Sequence, residues 1–101
     1  MSELVELRAK WAKELREELR EIVWCERCGT TSKRLDTAHS EKRRFIKTRE
    51  LYFEAVKLCR ECHVFVEYGT EDDPGTHERM KFLILELLEK RNERGLYLHS
   101  A

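Results

Sequence analysis

The sequence predicts a small α+β domain held together by a metal ion. Two observations carry this reading. Long amphipathic stretches lie near both ends of the chain, and a central stretch of mixed pattern carries two Cys-x-x-Cys pairs of identical spacing. Size is a third. A chain of 101 residues suits one domain. Chains of this size bury roughly 60–65% of their unfolded surface, so the core is thin and gains from a staple.

Residues 2–23 are predicted as one helix. Leu4, Leu7, Trp11, Leu15, Leu19 and Ile22 recur at spacings of three and four and form one stripe, with Ser2 as N-cap and Glu3 in the first turn. The stripe reads first as core packing; left exposed, it would instead make the long helices an adaptor for a protein partner. Trp24-Cys25-Glu26-Arg27-Cys28-Gly29 reads as a turn, residues 34–39 as a strand, and Ser40 to Arg44 as a polar, basic loop. Thr48 is placed as the cap of a short helix through Leu51, Phe53 and Val56. Residues 60–68 are predicted helical, ending at Gly69, before a loop marked by Asp72-Asp73-Pro74-Gly75. Thr76 then caps a final helix to about Arg94, with Met80, Leu83, Ile84, Leu87 and Leu88 as its apolar face. Gly95 stops it, and Leu96-Tyr97-Leu98 is expected to fold back on the core. The organisation is a helix over 1–23, a central unit over 24–68 and a helix over 76–95, in one domain. The two long helices are expected to pack together over the apolar side of the central unit.

The composition excludes several classes. The longest apolar run, Phe82-Leu83-Ile84-Leu85, breaks at Glu86, far short of the roughly 18 residues that span a bilayer. The N-terminus has no basic region followed by an apolar one, as a signal peptide needs. The expectation is a soluble intracellular (cytoplasmic) protein with no membrane partner. Thiols stay reduced in that compartment, which favours metal over disulfides.

Cys25, Cys28, Cys59 and Cys62 then form the strongest signal. Two thiolates at this spacing grip one ion from a tight turn, and two such turns complete a tetrahedral site whose usual occupant is zinc. Four cysteine ligands close the site, so the zinc is expected to be structural. Disulfides, an iron–sulfur cluster and a redox dithiol are the other readings. Nearby, His39 ends the predicted strand, His63 follows the last cysteine, and Glu67 lies one helical turn beyond His63. A His and a carboxylate at that spacing can share a divalent ion, and a second His opposite can deprotonate water.

Cys-x-x-Cys, a strand ending in His39, and Leu58-Cys59-Arg60-Glu61-Cys62-His63 together resemble the zinc-containing HNH endonucleases over about residues 24–68. The resemblance implies a ββα-metal (treble-clef-like) finger that hydrolyses DNA phosphodiester bonds with Mg²⁺ or Mn²⁺. In that alignment His39 activates the attacking water, His63 binds the catalytic metal, and Glu67 is a second helical ligand. The chain departs from the pattern at three points. Ala38 stands where the family places Asp or His before the base, with Asp36 on the same strand face as a substitute. The family's middle Asn is absent, Asn92 being the only Asn in the chain. Val64-Phe65-Val66 occupies a stretch that often carries Lys. The alternative is therefore a non-catalytic zinc-finger module that binds nucleic acid or a protein partner.

Net charge is zero, which argues against nucleic-acid binding by charge alone. Its distribution is uneven. Residues 27–49 carry eight cations against two acids, a net of +6, while residues 1–26 carry −2 and residues 50–101 carry −4. Lys42, Arg43, Arg44, Lys47 and Arg49 are thus candidate phosphate contacts, with Arg43 and Arg44 foremost and Phe45 or Tyr52 adding stacking. If DNA is the partner, it is expected to meet this segment and avoid the helices. His77 and His99 have no sequence partners and read as surface residues.

Overall fold

The computed structural model describes residues 3–93. The order is α1 (Glu3–Glu18), β1 (Leu35–His39), a 3-10 turn (Arg43–Phe45), α2 (Arg49–Tyr52), β2 (Ala55–Cys59), α3 (Arg60–Tyr68) and α4 (His77–Glu93). Helices with a two-stranded antiparallel sheet are the α+β class the sequence predicts. Ser2, Gly95, the Leu96–Leu98 tail and His99 lie outside the described residues.

The stripe of α1 buries Trp11 and Leu15 but leaves Leu7 42% exposed. At 100° per residue Leu7 sits about 60° from Leu4, at the edge of the stripe. The helix ends at Glu18 rather than at residue 23. Beyond Leu19 the amides bond three residues back, Arg20 N to Glu17 O and Ile22 N to Leu19 O. This tighter winding keeps Leu19 and Ile22 buried while steering the chain toward Cys25.

Thr48 caps α2 as predicted, its side chain accepting from Leu51 N at 3.2 Å. The helix lasts one turn, however, and Val56 lies in β2 instead. The pairing explains this: β2 lies antiparallel to β1 with His39 opposite Ala55 and Leu35 opposite Cys59. Long-range pairing takes residues that local pattern assigned to the helix. Thr76 also caps as predicted, accepting from Arg79 N at 3.1 Å. Gly69 ends α3 at φ +71, and a Cβ there would meet Asp73 O at 2.1 Å, so glycine is required both by conformation and by space.

The core has two clusters. One joins Val56 and Leu58 of β2 to Ala38, Val66, Ile84, Leu87 and three of the cysteines. The other gathers Trp11, Leu15, Leu19 and Ile22 around Ile46, Tyr52 and Ala55. Neighbouring residues of β2 point to opposite faces, so Ala55 and Val56 serve different clusters. As a result α1 and α4 bury their apolar faces separately, not against each other as the sequence suggests. Among the described residues, no helix is long and apolar enough to cross a membrane.

A buried ion pair ties α4 to the first cysteine turn. Arg91 donates to both Glu26 oxygens (2.7 and 2.6 Å) and to Ala55 O (3.1 Å), and Glu26 also accepts from Lys57 N at 2.7 Å. The side chains are only 10% and 5% exposed. Removing one member leaves a buried charge unpaired, which costs about 3–5 kcal/mol. Arg91→Ala is therefore expected to lower the urea midpoint at saturating metal by far more than Arg20→Ala, whose ion pair with Glu17 is exposed. Equal effects would show that the Glu26 pair is not holding α4.

Candidate functional site

The first cysteine turn is built by short-range hydrogen bonds. Cys25 N bonds Thr30 O (2.9 Å), Gly29 N bonds Cys25 O (2.8 Å), and Cys28 N donates to Cys25 Sγ at 3.4 Å. Gly29 closes the turn at φ +82, a conformation that favours glycine. The second pair sits where β2 becomes α3: Cys59 is the N-cap, and Cys62 lies in the first turn. There the helix dipole favours negative charge.

All four sulfurs lie within 4.8 Å of one another, and Cys28 and Cys59 Sγ are 3.8 Å apart. A tetrahedral ion with bonds of about 2.3 Å to sulfur sets its ligands about 3.8 Å apart. The four cysteines therefore fit a metal ion and are compatible with a structural zinc. Electrostatics agree. Burial raises the Cys25 thiol, but the backbone amides of Cys28, Cys59 and Arg27 outweigh it and bring the group down to about 6. Cys62 is pushed up to about 12 by burial, although Arg27 Nη1 donates to its sulfur at 3.5 Å and pulls the other way. One thiolate is thus sustained by amides; the buried partner needs the charge of a cation to ionise.

Beside this centre is a cleft of about 650 Å³. His39, His63, Glu67, Lys42 and Arg43 all line it, so the structure brings both predicted histidines, the carboxylate and two predicted cations to one place. His63 is held on two sides. Its Nδ1 lies 3.0 Å from Asp36 Oδ2 and its Nε2 lies 3.3 Å from Glu67 Oε2. Asp36 thus contacts His63 directly, across the β1–α3 junction, while Ala38 is buried and offers no ligand atom. Asp36 is also 3.5 Å from Arg60 Nε.

The His39 ring packs edge-on against Tyr52, with centroids 4.7 Å apart. Its Nε2 is buried and has no hydrogen-bond partner. Burial first, then electrostatic repulsion from Arg43 and from the neighbouring His63 site, lowers its pKa to about 4. His39 is therefore neutral at physiological pH. A neutral imidazole in a cleft lined by cations can take a proton from a group bound near an anion.

Other cleft residues have no counterpart in the sequence reading. Arg16 of α1 and Thr37 reach the lining, so a helix does contribute a cation. Glu41 lies 2.5 Å from His77 Nε2 and 3.9 Å from Lys81 Nζ. His77 is exposed as expected, yet it has this partner. No local signal marks either contact, because both depend on how α1 and α4 dock.

The basic segment divides. Arg49 is committed to α1: its Nε and Nη2 reach Glu14 Oε2 at 3.2 and 3.1 Å, Nη2 lies 3.8 Å from Glu18, and the guanidinium covers the Phe53 ring at 4.0 Å. Tyr52 is 3% exposed and belongs to the core, so it is not placed for stacking. Lys42, Arg43, Arg44, Phe45 and Lys47 are exposed. Comparison of the chain with family models, with curated proteins and with solved structures gives no match in any of the three.

Proposed function

We propose that the chain is a small metal-dependent endonuclease of the HNH type, built on a zinc-held ββα (treble-clef-like) finger, that hydrolyses DNA phosphodiester bonds. The observation that supports this most is convergence: His39 and Arg43 come from one stretch, His63 and Glu67 from another, yet all four line one cleft. His39, kept neutral by burial, takes the proton of the attacking water. Arg43 holds the phosphate, and Lys42 adds charge beside it. Asp36 accepts from Nδ1 of His63 and so turns Nε2 toward Glu67. The 3.3 Å between that nitrogen and the carboxylate suits two adjacent ligands of one octahedral ion, which lie about 3.0 Å apart at bond lengths of about 2.1 Å. His63 and Glu67 would hold a Mg²⁺ or Mn²⁺ ion there, which would supply positive charge to the phosphate and the leaving oxygen. The reading places the protein in the reducing cell interior, where its thiols stay free for zinc.

A second reading is the non-catalytic zinc-finger module for nucleic acid or a protein partner. Two observations favour it: Ala38 supplies no ligand, and both nitrogens of His63 are already paired with carboxylates. Incubating the protein with supercoiled plasmid and Mg²⁺, Mn²⁺ or Ni²⁺ separates the two. The nuclease reading expects nicked circles, with Glu67→Gln losing cutting and keeping DNA binding. Binding that weakens with salt, without cutting under any of the three ions, would establish the module instead.

A further inference from the structure

We infer that Phe45 and Arg44 form a stacking platform for an unpaired base, so that the nucleic acid taken by this site is single-stranded or carries unpaired bases. The inference rests on the nucleic-acid reading above and adds a substrate class to it.

The platform is built, not accidental. Phe45 ends a 3-10 turn closed by Phe45 N to Lys42 O (2.9 Å) and Ile46 N to Arg43 O (3.1 Å). The next residue, Ile46, is 1% exposed and sits in the α1-side core cluster. Arg8 Nε anchors its carbonyl at 3.0 Å. With Ile46 taking the core position, the Phe45 side chain is turned outward and stays 52% exposed. A hydrogen-bonded turn with a buried anchor fixes the backbone beneath the ring, so little main-chain entropy is lost when a ligand stacks on it.

The surroundings specify the ligand. Residues 42–49 hold five cations and no acid. Arg49 is neutralised by α1, but Lys42, Arg43, Arg44 and Lys47 make no ion pair among the described residues. Arg44 lies over the Phe45 ring at 4.9 Å, pairing a guanidinium plane with an aromatic face. A flat ring set among unpaired cations matches a base attached to phosphates. A duplex hides its base faces inside the stack and offers this ring nothing flat to cover, whereas an unpaired base offers a whole face. Arg43 and Lys42, close to Phe45 in the chain, also line the cleft that holds His39.

The test measures binding of metal-loaded protein to a thymidine oligonucleotide and to a duplex of equal length. Phe45→Ala is expected to weaken single-strand binding by about tenfold and change duplex binding by less than about twofold. Phe45→Trp should restore single-strand binding and show fluorescence quenching on it that the parent lacks. Because the side chain is largely outside the core, the melting temperature should not move. Equal losses on both substrates, or no loss on either, would overturn the platform while leaving the nucleic-acid reading intact. A parent protein that binds neither substrate would overturn both.

Discussion

Stripping the metal from Cys25, Cys28, Cys59 and Cys62 is expected to unfold the chain rather than loosen it. Three of these cysteines are buried, and they form one wall of the cluster that also holds Val56, Leu58, Val66 and Ile84. Among the described residues the sheet has two strands of five residues each, and a two-stranded sheet is marginal by itself. Structural zinc contributes an apparent 10–16 kcal/mol in small finger domains, about as much as the whole stability of a typical domain at about 5–15 kcal/mol. Without the ion, four sulfur atoms crowd within 4.8 Å of one another, and the Arg27 guanidinium reaches one of them, Cys62 Sγ, at 3.5 Å. A strong chelator should therefore abolish the cooperative melt seen by circular dichroism, and added Zn²⁺ should restore it. Cys59→Ser should behave like chelation. The pH dependence has a definite sign. The ligands bind as thiolates, so acid competes with metal, and the chelator concentration needed for unfolding should be lower at pH 6 than at pH 8. A metal-free protein with an unchanged melt would show that the cysteines are only core packing.

What was legible in the sequence follows from the range of each interaction. A cysteine turn is local: two cysteines three residues apart and a glycine after them specify their own geometry, so the four-cysteine cluster is readable from spacing. Capping is also local, and Thr48 and Thr76 both cap where their positions indicate. The apolar face of α4 was readable because helical periodicity alone defines it. The end of α1 was not. Leu19 and Ile22 continue the helical stripe, although the backbone beneath them winds more tightly than an α-helix. Val56 was read as helix for the same kind of reason, since its partner Ala38 is a long-range one.

The cleft was half legible. His39, His63 and Glu67 stood out through their spacing from the cysteines. The contact of Asp36 with His63 was not specified, because it depends on β1 and α3 meeting at 3.0 Å. The Glu26–Arg91 pair joins residues 65 apart and carries no motif at all. Arg49 looked like any other cation in a basic run until docking of α1 placed Glu14 and Glu18 beside it. Charge in a sequence shows what a segment can offer; packing decides which of its charges remain free.

His39 should dominate the chemistry if the cleft is a nuclease centre. Loss of a positioned proton acceptor costs typically 10²- to 10⁴-fold, so His39→Ala should reduce plasmid nicking at least about 100-fold without reducing DNA binding. Truncation also removes the ring contact with Tyr52. His39→Phe keeps an aromatic ring there and removes only the nitrogens; it should melt near the parent temperature and remain inactive. A buried ring nitrogen with no partner costs stability, so the parent gains nothing from Nε2 as a structural group. The pH profile gives a separate check. With its pKa lowered to about 4, His39 remains almost wholly neutral at pH 5.5, and the nicking rate there should stay within about a factor of two of the rate at pH 7.5. An unperturbed histidine, with a pKa of about 6.5, would be mostly protonated at pH 5.5 and lose about tenfold. Nicking retained in His39→Phe would remove His39 from the chemistry, and a tenfold fall at pH 5.5 with the metal still bound would point to a solvent-exposed base elsewhere in the cleft.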